Sequence, residues 1–270
     1  MRNLIKIELR TLIDQIDNYH ERFGGNDIRT SFLDGYFESL ITYFCGYYHL
    51  DEEDIIERYY EIYQRNDFNR DDLAIQLQGQ RNVLNSGLII NCWSNFELFI
   101  TLFCYAVLSK DKISELLELD YRKLKKSFNN YSITPEIDNK LKKYIKNHIA
   151  HTPIMYKYGA LLKMVDPYPS GRDKKNDLGF LEFFGLLRNC IHSNYIYFEE
   201  VDKTFTYNDE TYLFRNGKLV SQSPLSESSY FRLTKNLKDI FQVIVENIIH
   251  EPEIYDPSVE LYKVDFIMSI

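Results

Sequence analysis

The sequence predicts a mainly α-helical protein, a helical bundle that carries a small antiparallel β-hairpin or meander at about residues 196–221. Chain-breaking residues are scarce, because the 270 residues include 11 Gly and 7 Pro, and this favours long helices over a sandwich of many strands. Apolar residues recur at helical spacing along most of the chain, whereas residues 196–221 alternate and are rich in β-forming residues. Apolar residues make up 44% of the chain, which is enough to bury a core.

Start and stop signals delimit the helices. Gly24–Gly25 ends the first helix, Asp51 is a candidate N-cap of the third, and Thr134–Pro135 supplies an N-cap and a first helical position. The predicted helices cover residues 3–22, 29–48, about 52–65, from Asp71–Asp72 to about 108, 113–128, 134–150, 178–193 and 226–250.

Turn residues mark the loops and the β region. Residues 166–176 hold two prolines, a glycine and several charges, and form the clearest predicted loop. Asn216–Gly217 is a strong two-residue hairpin signal, and Asn208–Asp209 is a weaker turn. We therefore expect two or three short antiparallel strands. The apolar tail, residues 259–270, fits either a strand that joins the hairpin or a docked segment.

The chain is acidic, with 40 Asp and Glu against 32 Lys and Arg and a formal net charge of -8. Neutralisation of phosphates by basic residues drives sequence-independent binding to nucleic acid, so the acidic total argues against that class of protein. A local basic cleft stays compatible with this total, because the local field decides what binds there.

Three features predict a cytoplasmic protein. The charged N-terminal residues are unlike a signal peptide. The apolar run 87–108 contains several polar residues, which indicates a buried helix rather than a membrane span. The cysteines are widely spaced and lie in apolar settings, which predicts buried free thiols in a reducing compartment; they are Cys45, Cys92, Cys104 and Cys190.

The segment 188–192, Arg-Asn-Cys-Ile-His, closes an apolar helix and is the strongest candidate site. Arg188 and His192 are four residues apart, and Asn189 and His192 three, so all three lie close together on the helix surface. His192 can take a proton from an RNA 2′-hydroxyl or give one to a leaving oxygen, while Arg188 can stabilise charge on phosphoryl oxygens. The same spacing is also explained by two cations at the negative end of a helix dipole.

This segment, in which Arg-Asn, an apolar step and His-Ser-Asn precede a β-hairpin, resembles the signature of HEPN domains. These are helical bundles of prokaryotic toxins, abortive-infection proteins and RNA-processing systems. Residues 91–100, NCWSNFELFI, also resemble the family's central helix with its aromatic-Asn-Phe-Glu pattern. The resemblance covers roughly residues 80–200. Residues 1–75 and 200–270 are not explained by it. We expect an N-terminal helical extension over 1–75 and a HEPN-like domain, with β-hairpin insertion and C-terminal helix, over 76–270, which together are compatible with one packed unit.

The resemblance implies a homodimer in which two motif helices face each other across the two-fold axis. Active members are metal-independent endoribonucleases that need no cofactor, and their cleavage leaves a 2′,3′-cyclic phosphate. By that comparison Arg188, Asn189 and His192 are the catalytic candidates. Glu97 and Asn95 are supporting candidates, with Glu97 as a carboxylate that orients Arg188. An antitoxin or another defence-system protein is an expected partner.

A second candidate motif lies at residues 146–151, where four residues separate Lys146, in place of the family's arginine, from His151, and Asn147 follows the lysine. His148 and His151 are three residues apart, but no HExxH or cysteine pair accompanies them, so no metal site is predicted. Residues 122–147 form the most basic stretch, which fits either a solvated face or an RNA-facing surface. The RNA-binding candidates there are Lys123, Lys126, Lys143 and Lys146.

Two hypotheses of function follow. The first is a dimeric, metal-independent ribonuclease of the toxin or phage-defence kind, in which Arg188 and His192 point into a cleft near basic residues. The second is a non-catalytic dimeric scaffold or sensor, and it is favoured by the acidic charge and by a gap of three residues between Arg188 and His192 where the family usually has four to six. A small-molecule enzyme on an all-α scaffold is a third reading; no P-loop, GxGxxG or GxSxG motif is found.

Overall fold

The computed structural model describes residues 1–49, 70–116, 134–139, 143, 153–223 and 228–259. The named elements are α1 (Arg2–Phe23), α2 (Ile28–His49), α3 (Arg70–Val107), α4 (Ile154–Met164), α5 (Lys174–His192), β1 (Ile196–Tyr197), β2 (Lys203–Tyr207), β3 (Glu210–Phe214), β4 (Lys218–Leu219), β5 (Ser221–Ser223) and α6 (Ser229–Asn247). Shorter helical stretches cover residues 110–116 and 135–139. The mainly helical fold with a small antiparallel β region is therefore confirmed.

The long helix α3 forms the centre of the core and packs against α2, α4, α5 and α6. Phe32 of α2 stacks on Phe241 of α6 with ring centroids 4.0 Å apart, and Phe99 of α3 meets Phe241 edge-on at 4.6 Å. Full burial of each such ring contributes roughly 1.5–3 kcal/mol. The buried side chains of α3 are Leu88, Ile89, Cys92, Trp93, Phe96, Phe99, Ile100, Phe103 and Cys104.

One stretch of α3, Gln78–Val107, is long and apolar enough to cross a membrane on length and composition alone. Half of its most apolar window is nevertheless buried inside the fold, where α2, α4, α5 and α6 cover it. Such coverage is typical of the central helix of a soluble protein, as the sequence predicted for residues 87–108.

Most helix boundaries agree with the sequence patterns to within two residues. Thr134 caps as predicted, with Oγ1 accepting from the Ile137 amide at 3.4 Å. α5 begins at Lys174 rather than 178, because the Asp173 side chain caps it by accepting from the Asn176 amide at 2.8 Å. α4 was not predicted. The predicted helix 52–65, most of 117–150 and the tail after 259 lie outside the described residues.

The thiols follow the prediction in three of four positions. Cys92, Cys104 and Cys190 are buried and free, whereas Cys45 is exposed. The prediction for Cys45 was wrong because its neighbours at two residues' distance, Tyr43 and Tyr47, are the buried ones. Residues two apart on a helix point to different sides.

The β region, residues 196–223, has more strands than the two or three predicted: β2, β3 and β5 form one antiparallel sheet, and β1 pairs with β4. The turn Asn208–Asp209 is the tight one. Tyr207 pairs with Glu210 across it, and the two turn residues have φ of 48° and 63°. A two-residue hairpin of this type needs positive φ at both positions, which Asn and Asp tolerate.

The two-residue hairpin predicted at Asn216–Gly217 is wrong. These residues do form a turn, with Gly217 at φ 67°, but β3 and β4, the strands on either side of it, do not pair with each other. Leu213 of β3 pairs with Ser221 of β5, and the intervening β4 instead pairs with β1. The backbone of β1 supplies the hydrogen bonds that a direct hairpin would have made.

A buried carboxylate, Glu210, joins the sheet to the start of α6. It is 3% exposed and accepts hydrogen bonds from Ser229 Oγ at 2.7 Å and Gln222 Nε2 at 2.9 Å. Tyr212 Oη donates at 3.0 Å, and Arg232 donates as well. The β region is thereby fixed against the helical core by charge-assisted hydrogen bonds.

A second buried polar cluster joins the α1–α2 loop to the C-terminal segment. Arg29 donates to both carboxylate oxygens of Asp27, at 2.7 and 2.6 Å, and to the carbonyls of His250 and Pro252. Asp27 also accepts from the Ile254 amide at 2.8 Å. We call these residues the Asp27 cluster; its ion pair is almost fully buried, with side chains 2% and 0% exposed.

Gly35 lets α2 approach α3. A Cβ atom at Gly35 would lie 2.5 Å from Nδ2 and 3.0 Å from Cγ of Asn95. Replacement Gly35→Ala is therefore expected to lower the free energy of unfolding by about 1–3 kcal/mol through overpacking. Urea denaturation measures the change.

Two controls accompany this prediction. Asn95→Ala in the same chain should restore most of the loss, because it removes the atoms that clash. Gly87→Ala, on α3 with open space around its Cβ position, should instead stabilise by about 0.5–1 kcal/mol through helix propensity. Equal effects of Gly35→Ala and Gly87→Ala would contradict the close approach.

Candidate functional site

The helix that carries the candidate motif, α5, is positioned by aromatic packing on α3. Trp93 stacks on Phe184 with centroids 5.5 Å apart, and its ring lies over Gly185, where a Cβ atom would be 3.2 Å away. The apolar spacing of this helix predicts that Leu186, Leu187, Cys190 and Ile191 form its buried side; Leu187, Cys190 and Ile191 are buried, and Leu186 is half-buried.

The end of α5 is closed by backbone bonds and one anchoring hydroxyl pair. The Ser193 amide donates to the carbonyls of Asn189 and Cys190 at 3.3 and 3.0 Å. Asn194 and Tyr195 then take positive φ and turn the chain toward β1. The Tyr195 hydroxyl lies 2.6 Å from the Ser86 hydroxyl of α3. His192 is thus the last helical residue, directly before the turn that leads to β1.

Arg188, Asn189 and His192 are brought together on the surface of this helix end. Arg188 is half-buried and its Nη1 donates to Asn189 Oδ1 at 3.2 Å, while Asn189 and His192 are exposed. The Arg188 Nε is buried and has no hydrogen-bond partner among the described residues. The arrangement presents a permanent cation, an amide and an imidazole on one surface, which are groups suited to binding a phosphate and transferring a proton.

The two supporting candidates do not join this cluster. Glu97 makes no hydrogen bond to Arg188 in the part of the chain that the structure describes, so the expected orienting contact is not formed. It interacts electrostatically with Lys157 of α4 instead. Asn95 lies against Gly35. Residues 95 and 97 are about 200° apart around a helix with 3.6 residues per turn, so they cannot both face one site.

Sequence reasoning missed Lys157, a buried lysine on α4 that is 4% exposed. Its Nζ donates to Thr101 Oγ1 at 3.0 Å and lies 5.5 Å from the centroid of the Tyr105 ring. Burial lowers the pKa of Lys157, and charges on Cys104 and Glu97 oppose that change only in part. Since the helix 154–164 was not predicted, no helical register was available to identify Lys157 as buried.

We expect Lys157→Met to stabilise the protein at neutral pH by about 1–3 kcal/mol, since a buried cation is replaced by an apolar side chain of similar length. The lowered pKa means that the unfolded chain binds more protons between that value and the ordinary 10.5. Stability of the parent therefore rises with pH across this window, and its difference from Lys157→Met shrinks. Chemical denaturation at several pH values measures both effects.

Lys163→Met on the exposed face of α4 is the matched control and should change stability by less than about 0.5 kcal/mol. A pH-independent difference between Lys157→Met and the parent would show that Lys157 is not the titrating group.

Several predicted site residues lie outside the described residues: Lys123, Lys126, Lys146, Asn147 and His151. Lys143 is described, helical and exposed. Three clefts are lined by described residues: one at the start of α5, one between α2 and α3, and one between α4 and the end of α3. Arg188, Asn189 and His192 line none of the three.

No family model, no curated protein and no solved structure matches this chain. The resemblance to HEPN domains therefore rests on the quoted residues alone.

Proposed function

We propose that the chain is a HEPN-like, metal-independent endoribonuclease that works as a homodimer with a composite Arg/His site. One observation carries the proposal. Asn189 and His192 are exposed at the end of α5, and Arg188 hydrogen-bonds Asn189 at 3.2 Å beside them. The Asn189 and His192 side chains are therefore open to solvent, with the half-buried Arg188 guanidinium bonded to Asn189 beside them.

The proposed reaction is an internal transfer at an RNA phosphate. His192 takes the proton of the 2′-hydroxyl, and the 2′-oxygen attacks the adjacent phosphorus. The bond to the 5′-oxygen breaks, and that oxygen is protonated by His192 or by the partner's histidine. The products are a 2′,3′-cyclic phosphate and a 5′-hydroxyl. Arg188 stabilises the extra negative charge on the phosphoryl oxygens, and Asn189 holds one of them by a hydrogen bond.

The homodimer would place two copies of α5 across one groove, which doubles the Arg188 and His192 groups around a single phosphate. The biological setting we propose is cytoplasmic toxin–antitoxin or abortive-infection phage defence, with RNA as substrate and an antitoxin or defence-system protein as partner. Lys143 is exposed and, with the lysines of the basic stretch 122–147, is the proposed source of RNA binding in an otherwise acidic chain.

A second candidate function is a non-catalytic, dimeric HEPN-like scaffold or sensor. The observation in its favour is that Arg188, Asn189 and His192 line none of the three clefts described above. Under this alternative the motif contributes only to packing and to helix-end electrostatics.

The test is cleavage of single-stranded RNA in excess chelator, with analysis of the product ends. We expect 2′,3′-cyclic phosphate ends in the parent and a rate reduced about a hundredfold or more by His192→Ala, the usual loss for a removed acid–base group. His20→Ala is the matched control, because His20 also lies in the last turn of a helix. It should cut at the parent rate.

Light scattering decides the oligomeric part of the proposal. If the parent does not cut RNA, or if His192→Ala cuts as fast as the parent, the nuclease assignment is wrong. A stable dimer with no cleavage of any RNA would favour the scaffold.

A further inference from the structure

The chain leaves α5 through two consecutive left-handed residues, and the second of them is a tyrosine. Asn194 has φ 53° and Tyr195 has φ 63°. One left-handed residue directly after a helix is common, and asparagine accepts this conformation readily. For a bulky side chain such as that of Tyr195 the conformation is an outlier with an energetic cost. Outliers of this kind persist only where surrounding contacts enforce them, and they concentrate at functional sites.

Backbone hydrogen bonds hold Tyr195 on both sides. Its amide donates to the Cys190 carbonyl at 2.6 Å, and the Asn194 amide donates to the Ile191 carbonyl at 3.1 Å. These two bonds form a Schellman motif, which closes the last turn of a helix. The Tyr195 carbonyl accepts from the Val220 amide at 2.8 Å. The backbone of Tyr195 therefore joins the last turn of α5 to the β region.

The side chain of Tyr195 connects the end of α5 to α3. Its hydroxyl lies 2.6 Å from Ser86 Oγ. The Ser86 hydroxyl donates its one proton to the Asn82 carbonyl at 2.7 Å, so Tyr195 is the donor to Ser86. Tyr230 of α6 lies near the same hydroxyl, because burial first, and then the Tyr195 side chain, raises the pKa of Tyr230.

The backbone alone does not require a tyrosine at this position. Glycine adopts a φ of this sign without steric cost, and asparagine adopts it more readily than a bulky residue does. What the tyrosine adds is a hydroxyl that reaches Ser86, 109 positions earlier in the chain. The contact that accompanies the unfavourable φ of Tyr195 is therefore the bond between the end of α5 and α3.

We infer that Tyr195 is a positioning residue for His192. Two residues separate them, and the Schellman bonds of Tyr195 close the helical turn that His192 ends. A group that transfers a proton has to be held near its productive position, and a displacement of about 1 Å can lower a rate about a hundredfold. By bonding Ser86, Tyr195 holds this turn, and with it the His192 imidazole, in a fixed position relative to α3.

The catalytic part of this inference rests on the proposed nuclease, whereas the position of His192 is measured without any cleavage. Proton–carbon NMR spectra of the imidazoles in the full chain report that position, and the signal of His192 is assigned by its loss in His192→Ala. Hydrogen exchange of the Asn194 and Tyr195 amides reports the closure of the turn. In Tyr195→Phe we expect a shifted and broadened His192 signal and exchange of both amides about tenfold faster than in the parent.

Cleavage kinetics test the catalytic part. Tyr195→Phe should lower kcat for single-stranded RNA about tenfold and leave KM unchanged, because the groups that bind the phosphate are kept and only the proton-transfer group is displaced. Ser86→Ala removes the other partner of the same hydrogen bond and should have the same effects. The double variant should lose no more than either single variant, since both changes break one bond.

Tyr43→Phe is the matched control. The Tyr43 hydroxyl also bonds α3, donating to Asn85 Oδ1 at 3.0 Å, but it belongs to α2 and is not joined to the turn after His192. This variant should keep the parent's His192 signal, amide exchange and kcat.

The outcomes separate the two proposals. A parent that does not cut RNA contradicts the nuclease and leaves the spectroscopic test of Tyr195 in force. The positioning role is overturned if Tyr195→Phe keeps the parent's His192 signal and amide exchange, or if Tyr43→Phe changes them equally. It is also overturned if the parent cuts RNA and Tyr195→Phe cuts it with the same kcat.

Discussion

Arg29→Ala is expected to lower the free energy of unfolding by about 3–5 kcal/mol, the usual cost of removing one partner of a buried ion pair. The substitution leaves Asp27 without its bidentate partner while its carboxylate stays 0% exposed. It also removes the donors to the carbonyls of His250 and Pro252 and the contact of the guanidinium with the Phe23 ring at 3.8 Å. Urea denaturation followed by circular dichroism measures the loss.

Arg22→Ala is the matched control. Arg22 pairs with Glu246 at 2.8 Å and likewise joins α1 to the C-terminal part of the chain, but its side chain is 42% and that of Glu246 44% exposed. Exposed pairs of this kind contribute about 1 kcal/mol or less. If the two variants lost equal stability, burial of the Asp27 cluster would not be what makes it strong.

Lys238→Met should also cost about 3–5 kcal/mol, because it leaves Glu8 with an uncompensated buried charge. Lys238 of α6 is 2% and Glu8 of α1 6% exposed, and they are bonded to each other. The next cation, Lys235, is 3.9 Å from Glu8 and cannot replace Lys238 at hydrogen-bonding distance. Thermal and urea unfolding measure the change.

The double variant Glu8→Leu with Lys238→Met should be close to the parent in stability, since it removes both charges and keeps the volume. The two single losses would then fail to add, with a coupling free energy larger than any surface pair shows. Additive losses in the double variant would contradict a direct, buried pair between α1 and α6.

The helices could be predicted because their signals are local. Gly24 ends α1 where the sequence places two glycines, and Thr134 caps as its position before Pro135 suggests. The turns of the β region were harder to predict. Asn216–Gly217 is intrinsically the better hairpin sequence, yet β4 pairs with β1 and Asn208–Asp209 makes the tight turn. Which strands pair depends on tertiary contacts between distant parts of the chain, and a short stretch of sequence does not contain that information.

The position of the candidate motif at the end of α5 could be predicted, but the residues that surround it could not. The register of α5 follows from its apolar spacing, so Arg188 and His192 lie at the helix end as expected. Glu97 interacts electrostatically with Lys157 of α4, which the sequence did not predict, because the direction in which a residue of the central helix points depends on the packing of α4 and α5 around it. Helical geometry alone places Asn95 and Glu97 on different sides of α3. It could therefore have shown that only one of them can face the motif at the end of α5.

The Asp27 cluster has a consequence for how the protein is synthesised. Asp27 and the Ile254 amide that it binds are 227 positions apart in the sequence. Glu8 and its partner Lys238 are likewise separated by 230 positions. Domains generally fold from the N-terminus during translation. Here the buried polar groups of α1 and of the α1–α2 loop find their partners only when the C-terminal part of the chain has been synthesised. A nascent chain interrupted before residue 250 would keep Asp27 and Arg29 without their C-terminal partners, so part of this polar cluster would stay without its hydrogen bonds.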